Sequence, residues 1–187
     1  MNKQPEITMQ TRKNLMDAFW QIYCEKRIEK ITIKDITTKA GYNRGTFYEY
    51  FIDIYDVLEQ IEASILPDLE KHKVIMMDTK AQLPIKHLIE VYNRNKKYFV
   101  VLLGKNGDPA FLEKLKNVYK ELLRPRFQSL GSDDFVLECM LECAVSAFIG
   151  VMTYCFTQEK DPDISKMEQF LENLISGEYH KIVNLIY

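Results

Sequence analysis

The spacing of apolar residues limits this chain to one class of fold. Leu15, Phe19 and Ile22 recur at intervals of four and three residues, which places them on one face of a helix from about residue 9 to 26. Similar spacing runs through most of the chain, whereas the apolar–polar alternation expected of strands is nearly absent. We therefore predict an all-α protein of about nine helices.

Prolines and glycines divide the chain into these helices. Later helices are predicted at about residues 53–77, 84–98, 109–123 and 133–157, with a final one near the C-terminus. Pro67 lies inside the first of them and should kink or divide it, because proline removes a backbone hydrogen bond. In the segment GKNGDPAF, Gly104 and Gly107 break the chain, Asp108 caps the next helix and Pro109 takes its first position.

Composition and cysteine usage indicate a soluble protein of the cytoplasm. The hydrophobic and charged fractions, 47% and 28%, are those of an ordinary globular chain. The polar start MNKQPEITMQTRKN predicts no signal peptide, and the longest uncharged run, residues 143–158, is shorter than the roughly 20 residues of a membrane span. Cys139 and Cys143, one turn apart, could form half a metal site, but no second pair or nearby histidine completes it. We predict reduced, buried cysteines and no metal or other cofactor.

The first fifty residues are predicted to form a head of three short helices. Thr32 is suited to cap the second helix, with Asp35 completing an approximate capping box, and Gly41 to end it. Asn43 is expected to cap a third helix of about eight residues. A helix, a short glycine-containing turn and a second short helix make a helix-turn-helix, whose second helix enters the major groove of DNA.

One side of the third helix is predicted to face DNA, because Phe47 and Phe51 would face the core. Arg44 is the natural base reader, since its guanidinium matches guanine O6 and N7. Gly45 would let the helix approach the bases. The other candidates lie at the N-termini of the second and third helices or on the outward side of the third, where they could contact phosphates or a thymine methyl. They are Thr32, Lys34, Asn43, Thr46, Tyr48 and Tyr50. The alternative is that these rings are ordinary core, because helix-turn-helix geometry recurs in proteins that touch no DNA.

Charge is divided unevenly along the chain. Residues 1–48 contain nine Lys and Arg against five Asp and Glu, a net of +4, so the remainder carries −6 of the total of −2. A basic head on an acidic body indicates different partners for the two parts.

Residues 32–51, TIKDITTKAGYNRGTFYEYF, resemble the DNA-binding motif of the TetR family of bacterial transcriptional regulators. The family form is a threonine-capped helix, Ala-Gly-Val-Ser, a basic residue, Gly-Thr-Phe-Tyr, two variable positions and Phe. The matching positions are Ala40, Gly41, Arg44, Gly45, Thr46, Phe47, Tyr48, Tyr50 and Phe51, with Asn43 in place of the serine cap. The segments YNRNKKYFVVLL and NGDPAFLEKLK are similar to ligand-domain segments of one subgroup, known mostly in Gram-positive bacteria.

Three positions depart from the family pattern. Tyr42 replaces a small aliphatic residue and is itself a candidate DNA contact. Glu49 places a negative charge on the outward face, where it could accept from cytosine N4, pair with a cation or weaken binding. Ile52 and Ile54 stand where family members often carry phosphate-binding lysines, and each lost contact should flatten the salt dependence by about one unit of slope.

The resemblance implies a DNA-binding domain at residues 1–53 and an effector-binding and dimerisation domain at 54–187. Small and apolar residues at helical spacing support a homodimer independently. They are Val136, Met140, Cys143, Ala147, Gly150 and Tyr154 on the long helix, and Met167, Leu171, Leu174 and Tyr179 on the last. The alternative is that both stripes are intramolecular core.

An effector pocket is predicted among aromatic residues of the body, although each is otherwise ordinary core: Tyr92, Phe99, Tyr119, Phe148 and Tyr154. Together these features predict a dimeric regulator that binds a palindrome in double-stranded DNA, most simply a repressor released by a small molecule. The Pro67 helix is its candidate lever. The alternatives are an adaptor whose head contacts protein and, last, an enzyme, for which we find no nucleophile–base pair, metal spacing or phosphate loop.

Overall fold

The structure is a computed structural model and describes residues 5–66, 85–104, 107–128, 133–157 and 163–175. The described residues form nine α-helices and one turn of 3-10 helix, Ile28–Lys30, and contain no strand. The helices are α1 (Pro5–Tyr23), α2 (Ile33–Ala40), α3 (Arg44–Tyr48), α4 (Ile54–Ile65), α5 (Ile85–Arg94), α6 (Lys96–Leu102), α7 (Pro109–Gln128), α8 (Asp134–Thr157) and α9 (Ile164–Ile175). The prediction of an all-α fold is confirmed.

The helices belong to two compact units, Met1–Ile65 and Leu66–Tyr187. The first unit is longer than the domain predicted for residues 1–53, because the apolar side of α4 packs against α1 in the same core. The rest of the predicted 53–77 helix, including Pro67, lies outside the described residues from residue 67 onwards.

The core of the first unit is aromatic. Phe19 and Phe47 are completely buried, and the Phe19 ring stacks on Tyr23 with centroids 5.6 Å apart. Leu15 is also fully buried, which confirms the inward face predicted for α1, and so is Ile36 of α2. These side chains hold α1, α2 and α3 together and thereby set the geometry of the turn between α2 and α3.

The core of the second unit is built around α8, which packs against α6, α7 and α9. The predicted helix at 84–98 is instead two helices, α5 and α6, separated at Asn95. The Asn95 side chain donates to the Val91 carbonyl at 3.1 Å, a local bond that competes with continuous helix. At the other end, α7 continues through Pro125 to Gln128, past the predicted end at Leu123, and buries Phe127 beyond the proline.

The cysteine prediction is wrong in one respect. All four cysteines are free thiols, but Cys24, Cys139 and Cys143 are exposed and Cys155 is half-buried. Cys139 and Cys143 lie on the outer side of α8, which α7 and α9 leave uncovered.

The α8 helix is also long and apolar enough, over Asp134–Cys155, to span a membrane, and less than half of its most apolar stretch is buried within the chain. Its carboxylates nevertheless pair with cations of α7, where Glu138 accepts from Arg124 at 2.5 Å and Glu142 from Lys116 at 2.6 Å. Through these pairs and its contacts with three helices, α8 packs on one side against the rest of the second unit.

The Glu142 cluster predicts a pH dependence of stability. Lys116, Lys120 and Ser146 donate hydrogen bonds to its carboxylate and hold the pKa of Glu142 at about 2, below the ordinary 4.5. Because folding lowers this pKa, the cluster stabilises the fold above pH 4.5, and that stability is lost as the pH falls from 4.5 towards 2. With the side chain 45% exposed, we expect less than about 1 kcal/mol. Urea unfolding across this range should show a smaller pH effect in Glu142→Gln, and an unchanged one in the exposed control Glu90→Gln.

Candidate nucleic-acid interface

The α2–turn–α3 segment has the local geometry of a helix-turn-helix. Thr32 caps α2 in a reciprocal box with Asp35: the Asp35 amide donates to Thr32 Oγ1 at 3.1 Å, and the Thr32 amide donates to the Asp35 carboxylate at 3.0 Å. The Thr32 hydroxyl and then the Thr32 amide donate to the Asp35 carboxylate, and both bonds lower the pKa of Asp35. Gly41 ends α2 with a φ of 75°, the left-handed conformation that glycine adopts without strain. The predicted Thr32 cap, its box with Asp35 and the end of the helix at Gly41 are all present.

Asn43 caps the α3 helix, and its side-chain oxygen accepts from the Thr46 amide at 2.8 Å. The helix is shorter than predicted, five residues from Arg44 to Tyr48, because the chain leaves helical geometry before Phe51. Phe47 and Phe51 nevertheless both point inward, with exposures of 0% and 2% and ring centroids 5.4 Å apart.

Most of the predicted DNA contacts lie on the surface of the first unit. Tyr48 has 58% of its surface exposed. The other exposed candidates are Thr32, Lys34, Asn43, Arg44 and Gly45, whereas Tyr42, Thr46 and Tyr50 are half-buried. The tip of α3 therefore presents a guanidinium beside a residue without a side chain, with a phenol one turn further along.

Several polar groups of this surface are already engaged. The Tyr42 hydroxyl accepts from Asn14 of α1 at 3.0 Å, and the Thr46 hydroxyl donates to the Asn43 cap at 3.3 Å. The Thr32 hydroxyl donates to Asp35 at 2.8 Å. These hydrogen bonds hold the three side chains in place. The side chains of Arg44 and Lys34 make no hydrogen bond among the described residues.

The segment after α3 is acidic, a feature that sequence analysis recognised only at Glu49. Residues 49–66 contain five carboxylates and no basic residue. Two of them cap α4: Asp53 accepts from the Tyr55 and Asp56 amides at 2.8 and 2.9 Å, and Asp56 accepts from the Ile52 amide at 2.8 Å. Carboxylates thus occupy a helix N-terminus that could otherwise hold phosphate. The Asp-x-x-Asp spacing of this cap was the available sequence signal.

Residues predicted to line a dimer interface divide between surface and core. On α8, Cys143 and Gly150 are exposed, Met140 and Ala147 are half-buried, and Val136 and Tyr154 are 43% and 66% exposed. On α9, Met167 and Leu171 are 5% and 0% exposed, so they pack inside the chain and leave no area for a partner. Leu174 is half-buried, and Tyr179 lies outside the described residues.

Four of the five predicted pocket residues lie in the core of the second unit. Tyr92 stacks on Phe99 with centroids 4.2 Å apart, and Tyr119 meets Phe148 edge-on at 5.4 Å. Tyr154, in contrast, is exposed on the outer side of α8. It therefore cannot line an interior pocket with the other four residues.

Comparison with known proteins agrees with this architecture. A family model described as the C-terminal region of transcriptional regulators, TetR_C_8, matches residues 80–177, just over half of the chain. The fold is therefore that of a transcriptional regulator. The chain belongs to the TetR family. A comparison with curated proteins finds no significant match.

Solved structures of low sequence identity share the fold. A TetR transcriptional regulator from Streptococcus agalactiae has a TM-score of 0.64 at 17% identity, covering 91% of this chain and 96% of its own. The fatty acid degradation regulator FadR from Bacillus halodurans has a TM-score of 0.63 at 16% identity, with coverages of 95% and 98%. A transcriptional regulator from Aquifex aeolicus has a TM-score of 0.54 at 18% identity, with coverages of 95% and 99%.

Proposed function

We propose that the protein is a dimeric, sequence-specific DNA-binding regulator, a repressor that a small-molecule effector releases. The observation that carries the proposal is the orientation of α3. Arg44, Gly45 and Tyr48 face solvent, while Phe47 on the same five-residue helix is completely buried. Because regulators of this family are soluble cytoplasmic proteins, we place the protein in the cytoplasm.

In this proposal Arg44 reads a base and its neighbours hold the backbone. A guanidinium at the first position of α3 can donate two hydrogen bonds to the O6 and N7 acceptors of guanine. Gly45 removes the side chain that would hold the helix away, and Tyr48 and Lys34 reach phosphates on either side of the groove. A helix of five residues makes few base contacts, so two copies related by a two-fold axis would read the two halves of a palindrome.

Selection of bound sites from random duplexes tests the proposal directly. We expect enriched sequences to be palindromic, with half-sites about one or more helical turns apart. If folded protein at moderate salt enriched no sequence, the proposal would be contradicted.

A second candidate, an adaptor that uses the head for protein contacts, is favoured by the acidic segment 49–66 and by the exposed Ile52, 80% of whose surface is accessible. The adaptor predicts neither enrichment nor a salt-dependent affinity for duplex.

The α8 surface supports a homodimer. Its exposed side carries Val136 near the start of the helix and Cys143 and Gly150 further along. A methyl group placed on Gly150 would meet nothing within 4 Å among the described residues, so their packing does not require glycine there. In a dimer, a glycine at this position lets a partner helix approach closely.

Gly150→Lys tests this surface. We expect the variant to fold, since the position opens to solvent in the single chain, but to weaken the dimer at least tenfold, because burying an unpaired ammonium costs several kcal/mol. Sedimentation across a concentration series measures the change. The matched control is Asn117→Lys on the exposed side of α7, which should leave the association unchanged. Equal association of the two variants would move the interface elsewhere.

We further propose that the effector acts from the second unit, on the distance between the two reading heads of the dimer. An effector must bind one spacing a few kcal/mol more tightly than the other to change occupancy of the operator. The helix predicted around Pro67 remains our candidate lever. Operator affinity measured with and without candidate effectors tests this part separately from DNA binding itself.

A further inference from the structure

Two tyrosine hydroxyls are buried among the rings of the second unit. Tyr92 and Tyr119 are each 1% exposed. The Tyr92 hydroxyl lies 3.2 Å from the hydroxyl of Thr153 on α8, with which it shares a hydrogen bond. The Tyr119 hydroxyl has no hydrogen-bond partner among the described residues. Of the two buried phenols, therefore, only Tyr92 has a hydrogen-bond partner among the described residues.

An unsatisfied buried hydroxyl is unusual, because its desolvation is not offset by a new bond. A phenylalanine at position 119 would keep the edge-on contact with Phe148, at 5.4 Å between centroids, without this cost. The Tyr119 hydroxyl thus points to a partner that is not a described residue of the chain, either a small molecule or a buried water.

The surroundings define what kind of molecule fits. Burial, and then the neighbouring Tyr92 phenol, raise the pKa of Tyr119 well above its ordinary value, so the group is a neutral donor at physiological pH. In the described part of the second unit, Asn173 is the only buried side chain of the polar and charged residue types. No buried cation is present there to balance a carboxylate or phosphate. The Tyr119 ring meets Phe148, and the neighbouring Tyr92 stacks on Phe99, which in turn contacts Phe111.

We propose that the Tyr119 hydroxyl donates a hydrogen bond to the carbonyl oxygen of a small, uncharged and mainly apolar effector, held among the rings of α5, α6, α7 and α8. This rests on the proposed release of the regulator by an effector. The Tyr92 hydroxyl, which shares a hydrogen bond with Thr153, is the satisfied phenol with which Tyr119 is compared.

Thermal unfolding of two isosteric variants gives the first test. Tyr119→Phe removes an unsatisfied group, and we expect it to raise the Tm by about 2–4 °C in the absence of effector. Tyr92→Phe breaks the bond to Thr153 and should lower the Tm by a similar amount. A loss of stability in Tyr119→Phe equal to that in Tyr92→Phe would overturn the proposal, because the hydroxyl would then have a structural partner such as a fixed water.

Matched ligand pairs give the second test. Acetophenone and longer aryl and alkyl ketones are titrated against the full-length protein beside their carbonyl-free counterparts, such as ethylbenzene, with the shift in Tm as the readout. We expect ketones to stabilise the wild type, and Tyr119→Phe to bind them about tenfold more weakly while binding the hydrocarbons equally well. Equal binding of ketones by wild type and Tyr119→Phe, or no binding of any ketone, would overturn the proposal.

The tests of Tyr119 with variants and ketones do not depend on DNA binding. Ligand binding is measured without duplex, so a protein that binds ketones through Tyr119 but selects no DNA site would contradict the proposed function alone. A protein that selects a palindrome but fails both tyrosine tests would contradict only the present inference.

Discussion

Phe47→Ala is expected to lower the free energy of unfolding of the first unit by about 3–5 kcal/mol. Phe47 is completely buried, and its ring contacts Phe51 with centroids 5.4 Å apart. The α3 helix has five residues, too few to be stable alone, so its position depends on this anchor. The loss should also abolish specific DNA binding, because the proposed reading surface is the other side of the same helix.

Trp20 allows the effect to be measured in the first unit alone. It is the only tryptophan of the chain and is 8% exposed within that core. In Phe47→Ala, the urea midpoint followed by Trp20 fluorescence should fall, whereas most of the far-UV circular dichroism, which comes from the larger second unit, should unfold as in the wild type. The control Tyr48→Ala, on the exposed side of α3, should stay within about 0.5 kcal/mol of the wild type. A parallel fall by both probes would mean that the two units unfold together.

Arg44→Ala is expected to weaken binding to the selected site by about 1–3 kcal/mol, or roughly 5- to 150-fold, and to relax the preference for one base pair in each half-site. The reason is geometric: the side chain is exposed at the first position of α3, beside Gly45, where the helix can come closest to the bases. Gel-shift titrations against the selected site and its single-base variants measure both the affinity and the preference.

Lys34→Ala is the matched control, since Lys34 is an exposed cation of α2 in the same motif. As a phosphate contact it should weaken binding to every sequence about equally and reduce the slope of log affinity against log salt by about 1. If Arg44→Ala behaved in the same uniform way, Arg44 would be a phosphate contact, and another residue of the α2–α3 surface would have to read the bases.

Local features of this fold were predictable because they depend on residues close in sequence. The Thr32–Asp35 box, the Gly41 terminus and the Asn43 cap each join atoms no more than a few residues apart, and each was predicted from residue type and spacing. The inward Phe47 and Phe51 followed from the same helical period. Two helix boundaries were predicted wrongly. The side-chain bond of Asn95 interrupts the helix predicted at 84–98, and the burial of Phe127 accompanies the continuation of α7 through Pro125, where a proline usually ends a helix.

Burial by distant segments was not predictable in the same way. Met140 and Cys143 on α8, three apart, and Met167 and Leu171 on α9, four apart, both have helical spacing, yet the first pair is half-buried or exposed while the second lies in the core. The pattern shows that a helix has an apolar side, but which neighbour covers that side depends on how the helices pack. The three exposed cysteines and the outward Tyr154 have the same cause.

The sequence by itself determined the helical class, the helix-turn-helix and its caps, because hydrogen bonds between near neighbours and the helical period are encoded in adjacent residues. Only the tertiary structure decided that Tyr42 bonds to Asn14, that the apolar side of α9 is covered while one side of α8 is open, and that the Tyr119 hydroxyl is buried without a described partner. Those outcomes depend on contacts between residues far apart in the chain, which no local pattern specifies.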